Sequence, residues 1–528
     1  MREISQTTKI LTQKYKSWYQ SLQRKENIPT IHVDEVASKV AAFYEKIRGV
    51  VDWREEHLMR RVAIERILKR RMFLQKNGDE LASPFVSELI RGGYFPNDKI
   101  EETKIGLVKN LLNKYIFILN NSPSPPAEKA KIRLYDWLLS IAACEVEEIL
   151  DPPRRERALI EYMEALMKER IAAPPEISET EKDAQISIAI QRALFKLDRS
   201  IIGYHLLKKR YQNWLELPPA SLEEVAKNIY LIWDGIEKDL KHRLSEKFYR
   251  ICERYDTPYL ILGDVLSSNP LESEEKIKEP EVLEGLVREY YRKRAYQLKS
   301  RIRRAAFFST ISIFLTKMLL AFAIEIPYDK YVTNEFSYQT LGLNILIPPL
   351  LMFLLIFTIR PPRKSNLELV MMETMKIVYA GERQDTYTIK IPKKRGIVLN
   401  IIITLFYLAM FIVSFGSIWW GLTQLNFGIL SRIIFLVFFT LICFAGVKIR
   451  ERSKELLVET EKEGFLSFLM DSLSLPYVRM GKWLSGQWVK YNIVVVILIS
   501  IVDMPFTIFV EFLEQWRYFL KEKKEEIH

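Results

Sequence analysis

The chain has 528 residues, 78 Lys plus Arg against 66 Asp plus Glu, and three cysteines. That length excludes a single small domain. Cys144, Cys252 and Cys443 form no CxxC pair, which argues against a disulfide framework or a structural zinc site and fits a reducing compartment. The mean hydropathy is near zero because it averages two unlike parts. Through Arg304 the net charge is +7; from Ala305 onward it is +5, with the apolar residues gathered into blocks. So mild an excess gives no specific nucleic-acid signal. It fits basic flanks facing anionic lipid.

The first residues carry no continuous apolar core, so no cleaved signal peptide is expected. Residues 7–24 read as a polar helix. Asn27-Ile28-Pro29 interrupts it, and Asp34 can cap the next helix. Within 50–75, Leu58, Val62 and Leu68 mark one buried face. Arg60, Arg61, Arg66, Lys69, Arg70 and Arg71 form a basic surface there. Its plainest reading is a solvated face with local acidic partners rather than a phosphate site. His57 beside Glu56 lacks HExxH and a second histidine, so it makes no metal site.

Helices are predicted over 98–119, 127–150 and 156–172. The breakers are 120–126, Asp151-Pro152-Pro153 and Pro174-Pro175, because proline removes an amide donor and restricts its predecessor. Another helix is expected over 180–199. Ser221 and Glu224 have capping-box spacing ahead of a helix expected to reach about residue 255. A basic helix over 272–304 is expected to continue into the first membrane helix and couple the two parts mechanically. His205 and His242 have no visible ligand set. No GxGxxG, P-loop or GxSxG motif occurs in 1–304, so no catalytic residue, cofactor or metal is assigned and a non-enzymatic role is favoured.

The stretch 305–326, AAFFSTISIFLTKMLLAFAIEI, is 22 residues with only Lys317 and Glu325 charged. As a helix it rises roughly 33 Å, enough for a bilayer core of ~30 Å. Lys299, Arg301, Arg303 and Arg304 precede it as a basic anchor expected on the cytoplasmic side. A second block, 341–359, contains Pro348-Pro349. The connector 360–396 holds nine basic and four acidic residues, with Arg363 and Lys364 near one end and Lys393, Lys394 and Arg395 near the other. These bases are expected to contact anionic lipid. Residues 367–379 look helical and 385–391 alternate like a short strand.

Blocks 397–420 and 428–447 make a second hairpin, with Arg432 near its outer end. Residues 448–490 show no single clear structure and are expected at the cytoplasmic side or the interface. The last block, 492–516, is interrupted by Asp503-Met504-Pro505. As one helix it makes a fifth span, but places Arg517, Lys521, Lys523 and Lys524 outside, against the charge rule; a kinked hairpin or an interfacial helix bent at Pro505 is the alternative.

The fold class expected is all-α: a cytoplasmic helical array (1–304), a first transmembrane hairpin (305–359), a connector (360–396), a second hairpin (397–447), an amphipathic region (448–490) and a final membrane helix with a charged tail (491–528). The total is four or five spans. If the chain is prokaryotic, the expected membrane is the plasma membrane. Lys317, Glu325 and Asp503 form the expected intramembrane polar site, because a charge in hydrocarbon needs a partner, a wet cavity or a proton shift. Two functions compete: a multi-pass anchored scaffold binding a cytoplasmic protein or anionic lipid, and a transporter or channel with a large regulatory domain. No transporter-like repeat is visible, which favours the scaffold. Homo-oligomerisation leaves no signal in the sequence.

Overall fold

The structure is a computed structural model. It describes residues 2–23, 28–36, 38–43, 58–74, 78–123, 128–211, 213–333, 337–357, 364–381, 385–391, 396–458, 465–490 and, between 508 and 523, residues 508–510, 512–513, 515–517, 519–520 and 523. His57, Arg363, Lys393, Lys394, Arg395 and Asp503 lie outside these.

The N-terminal region is an array of helices: α1 (Gln6–Ser21), α2 (Met59–Leu74), α3 (Gly78–Arg91), α4 (Thr103–Asn121), α5 (Glu128–Leu150), α6 (Arg154–Arg170), α7 (Glu179–Phe195), α8 (Arg199–Arg210), α9 (Pro219–Leu240), α10 (Ser245–Arg254), α11 (Asp256–Ser268) and α12 (Ser273–Ile277). Proline sets several of the ends, as the sequence predicts: α5 stops before Pro152-Pro153, and Pro219 opens α9. The capping box falls elsewhere than expected. Ser178 and Glu181 form it at the start of α7, whereas Pro218 sits at the N-cap of α9 and leaves Ser221 inside the helix. The helix expected to reach residue 255 stops at Leu240, and α10 begins at Ser245 after a turn in which His242 Nδ1 accepts the Leu244 amide.

Among the described residues the array has two apolar cores. The first joins α2–α5, α8 and α9 around α5, whose residues from Leu138 to Val146 are buried on every side. The second joins α1, α6, α7 and α10–α12. This second core also takes in Val370, Ile377 and Val378 from α15 (Lys364–Val378), Ile389, and Leu456 and Val458. Those residues lie between or beyond the long apolar helices. The strand expected in 385–391 is reduced to β2 (Tyr387–Thr388), which pairs in parallel with β1 (Ile171–Ala172) at the end of α6. The N-terminus closes the same junction: Ser5 N donates to Val378 O at 2.9 Å, and Ala380 N donates to Glu3 O at 3.0 Å.

Helix α13 (Pro280–Leu320) leaves this core as one 41-residue rod, rising about 60 Å. Its lower face buries Leu283, Val287, Tyr291 and Leu298. The rod continues through π-helical Ala321–Glu325, a short α-turn Ile326–Tyr328, and π-helical Asp329–Thr333. Pro327 supplies the reason for the first π turn. It has no amide for the carbonyl of Ala323, and the Ile326 amide reaches five residues back to Ala321 O.

Among the described residues, four helices are long and apolar enough to cross a membrane: Pro280–Thr333, Tyr338–Leu355, Ile397–Gln424 and Ile429–Ser453. The last three correspond to α14 (Tyr338–Phe357), α16 (Ile397–Gln424) and α17 (Ile429–Ser453). The chain returns to the array after the second and after the fourth. At the opposite end, Gly428 lies beside Asp329. Residues 465–490, to which the sequence gives no single structure, form α18 (Phe465–Lys490). It packs at mid-length of α16 and α17: Ser414 Oγ donates to Leu473 O at 2.9 Å, Tyr477 donates to Ser414 O, and the bare face of Gly481 lies on the Thr440 carbonyl.

Candidate functional site

Three clusters of polar groups stand out. The first lies among the candidate spans. Lys317, near the end of α13, points along the helix to Glu325 in the π turn, and the two charges pair with both side chains fully enclosed. Glu325 also accepts from Asn344 Nδ2 of α14 and, at 3.1 Å, from Ser431 Oγ of α17. The Phe438 ring lies 5.7 Å from Lys317 Nζ. One carboxylate thus ties three helices together.

Local backbone chemistry explains why Asn344 belongs here. Its carbonyl would bond the amide of residue 348, which is proline, and Ile345 has the same lack at Pro349. The paired prolines therefore leave two backbone carbonyls without their usual helical donors, and Asn344 Oδ1 finds no partner among the described residues. Burying the ion pair is tolerable because both carboxylate oxygens are hydrogen-bonded and the pair is neutral as a unit. Of the predicted trio, the structure brings Lys317 and Glu325 together, while Asp503 lies outside the described residues. Sequence reading missed Asn344 and Ser431. The signal for Asn344 was an amide side chain four residues before Pro-Pro in an apolar run; Ser431 offered none.

The second cluster is the junction between array and spans. Asn366 in α15 is buried and uses both ends of its amide. Nδ2 donates to Tyr291 Oη on α13 at 2.9 Å and to Leu456 O at 2.6 Å, and Oδ1 accepts the Val458 amide at 2.8 Å. Tyr162 adds a hydroxyl to the Ile377 carbonyl at 2.7 Å. Nearby, Thr257 Oγ1 donates to Glu455 O at 3.3 Å. Asp256 is buried there, 4.0 Å from Lys196 Nζ, and burial pushes its carboxyl up to about 7.

The third cluster is inside the array. Lys114 Nζ donates to Trp214 O at 2.8 Å and pairs with Glu145 at 2.5 Å; Tyr115 Oη and Trp214 Nε1 donate to the other Glu145 oxygen at 2.7 and 3.0 Å. Every polar atom of that carboxylate is used, so the group is structural. Burial also raises Glu147 to about 7 and lowers His205 to about 4. His205 Nδ1 faces Gln191 Oε1 at 2.6 Å. Burial holds the Cys144 and Cys252 thiols up, so neither is a ready nucleophile. Among the described residues no group of three His, Cys, Asp or Glu side chains is arranged to hold a metal ion.

The two basic runs fare differently. On α2, Arg60 pairs with Asp151 at 2.7 Å, Arg61 with Asp198 at 2.7 Å, Lys69 with Asp136 at 2.7 Å, and Arg71 with Glu88 at 2.6 Å. Arg70 shares Glu88, and Arg66 reaches Tyr94 Oη. That surface is internally neutralised. On α13, Lys299, Arg301, Arg303 and Arg304 are exposed and meet no carboxylate among the described residues. Lys364 is the first residue of α15.

No family model, curated protein or solved structure matches this chain.

Proposed function

We propose that this chain is a multi-pass membrane scaffold whose cytoplasmic helical array is held in a fixed attitude to its membrane bundle. The observation that carries the reading is the composition of the second core. It closes only with α15, Leu456 and Val458, which follow the second and fourth candidate spans. A domain merely tethered to a membrane needs no such contribution. The array is instead built on the inner ends of the bundle, as a presentation platform requires. The same contacts support an inside location for both connectors, in agreement with their excess of basic residues.

The C-terminal segment fits a return to that side. Arg517 Nε lies 3.4 Å from Asp34 Oδ2 of the array. An inside C-terminus also removes the conflict between a fifth span and the four bases that follow it. Helix α18, lodged at mid-length of α16 and α17, then packs against the second hairpin as part of the same bundle.

The competing transport reading assigns Lys317 and Glu325 to a pathway. Their complete enclosure and shared partners favour a lock between helices. The test is the double variant K317M/E325M, purified full length and returned to liposomes. A scaffold keeps its assembly, and wild-type proteoliposomes pass sodium ions and protons no faster than protein-free ones. Flux in the wild type that disappears in a well-assembled double variant would establish transport instead.

A further inference from the structure

We infer that the neck of α13, where the rod enters the membrane, is a binding surface for anionic phospholipid with two flanks. The inference rests on the membrane reading above. Helical spacing stacks Lys299, Arg303 and Phe307 on one flank and Arg301, Arg304 and Phe308 on the other. Between the flanks, Leu298 and Ala306 are buried and Ile302 packs inward. Phe307 and Phe308 are 63% and 64% exposed. Each flank therefore carries bases below and a bare aromatic ring one turn above, in the order phosphate then acyl chain.

Charge accounting distinguishes this surface from an ordinary polar face. The six cations of α2 all find partners within the array, whereas the four on the neck have none among the described residues. An uncompensated set of four, on both sides of a helix leading into an apolar span, matches a layer of phosphates better than a single protein ligand. The aromatic tier favours a lipid over a soluble polyanion, which would gain nothing from Phe307 and Phe308. The neck also continues directly into Lys317 and the second core, so lipid bound here touches the rod joining both parts.

The test uses the full-length protein in detergent, with phosphatidylglycerol and phosphatidylcholine as probes and retained lipid counted by native mass spectrometry. Wild type should retain phosphatidylglycerol over phosphatidylcholine. K299Q/R303Q and R301Q/R304Q should each bind it roughly thirtyfold more weakly, and F307A/F308A should weaken retention without altering the charge. K227Q/K238Q, on an exposed face of α9, is the control and should bind like wild type. Thermal melting of each variant separates a lost site from a lost fold, and the salt dependence of wild-type retention gives a readout that needs no variant. Equal retention of both lipids, or indifference to both double variants, overturns the proposal. Displacement of phosphatidylglycerol by inorganic phosphate alone would assign the bases to a soluble anion and also overturn it. Failure of the membrane reading itself looks different: the protein would be recovered monodisperse without detergent.

Discussion

Asn366 donates to the hydroxyl of Tyr291 across 2.9 Å, joining the connector after the second candidate span to the rod that forms the first. The same side chain holds the backbone at Leu456 and Val458. Replacing it with leucine, of similar size, removes all of these bonds and strands a buried amide, a carbonyl and a hydroxyl. Asn366→Leu should cost about 3 kcal/mol. Hydrogen exchange on the full-length protein should show faster exchange at α15 and at 454–458 together, while α2–α5, in the first core, stay protected. Exchange confined to α15 would contradict a shared junction.

The Lys317–Glu325 pair predicts an asymmetry between single and double substitutions. Lys317→Met leaves a carboxylate without its cation in an apolar bundle and should cost about 3 kcal/mol or more. Glu325→Met should cost as much, since Lys317, Asn344 and Ser431 all lose their acceptor. The double Met variant should recover most of the loss, because two apolar side chains need no compensation. Melting in detergent, followed by intrinsic tryptophan fluorescence, reads all three. Additive losses would refute the lock.

Asp256 gives a pH dependence of definite sign. Burial raises its folded carboxyl to about 7, from 3.8 for an ordinary aspartate, and Lys196 only partly offsets this. Glu253 and Glu455 add to the rise, and Thr257 opposes it. Between those two values the unfolded chain releases the proton and the folded chain keeps it. The stability tied to this group is therefore complete below about pH 4, falls as pH rises, and is gone above about pH 7. Asp256→Asn, which cannot ionise, should be more stable than wild type above pH 7, by about 4 kcal/mol at most. The advantage should shrink towards zero near pH 4. Melting temperatures across pH 4–8 provide the check, and a constant difference would exclude this cause.

Gly481 supplies a steric test of where α18 sits. A Cβ there would strike the Thr440 carbonyl and the Phe444 side chain. Gly481→Val should cost about 2 kcal/mol and reduce disulfide cross-linking between cysteines placed at Leu473 and Ser414. Gly486 has nothing within 4 Å of its added Cβ, so Gly486→Ala should leave the cross-link unchanged.

The sequence made some of this legible for clear physical reasons. Proline punctuates the array because it cannot donate an amide, so the ends near 150 and 219 could be read directly. Four long apolar runs declare themselves, and the basic helix running into the first of them is one continuous rod, although it starts at Pro280 rather than at 272 because Ser273–Ile277 is a separate helix. Lys317 and Glu325 stood out because charges are rare in such runs. What stayed hidden depends on tertiary contacts. Residues 367–379 read as a helix, but nothing local says that Val370 and Ile377 complete a core begun by α1 and α6. Asn366 looks like any polar residue after a proline pair. Helix α18 escaped because Asp471, Arg479 and Lys482 dilute its apolar signal, although Arg479 lies 4.7 Å from the Tyr407 ring of α16.

The central claim is that the N-terminal array and the connector between the second and third spans meet on one side of a membrane. Single cysteines at Glu3 and Gly381, in a background with Cys144, Cys252 and Cys443 replaced by serine or alanine, test it with an impermeant maleimide on sealed vesicles of known orientation. Both sites should be shielded in right-side-out vesicles and labelled in inverted ones. Labelling of the two from opposite faces, or of both in sealed vesicles of either orientation, would contradict the account.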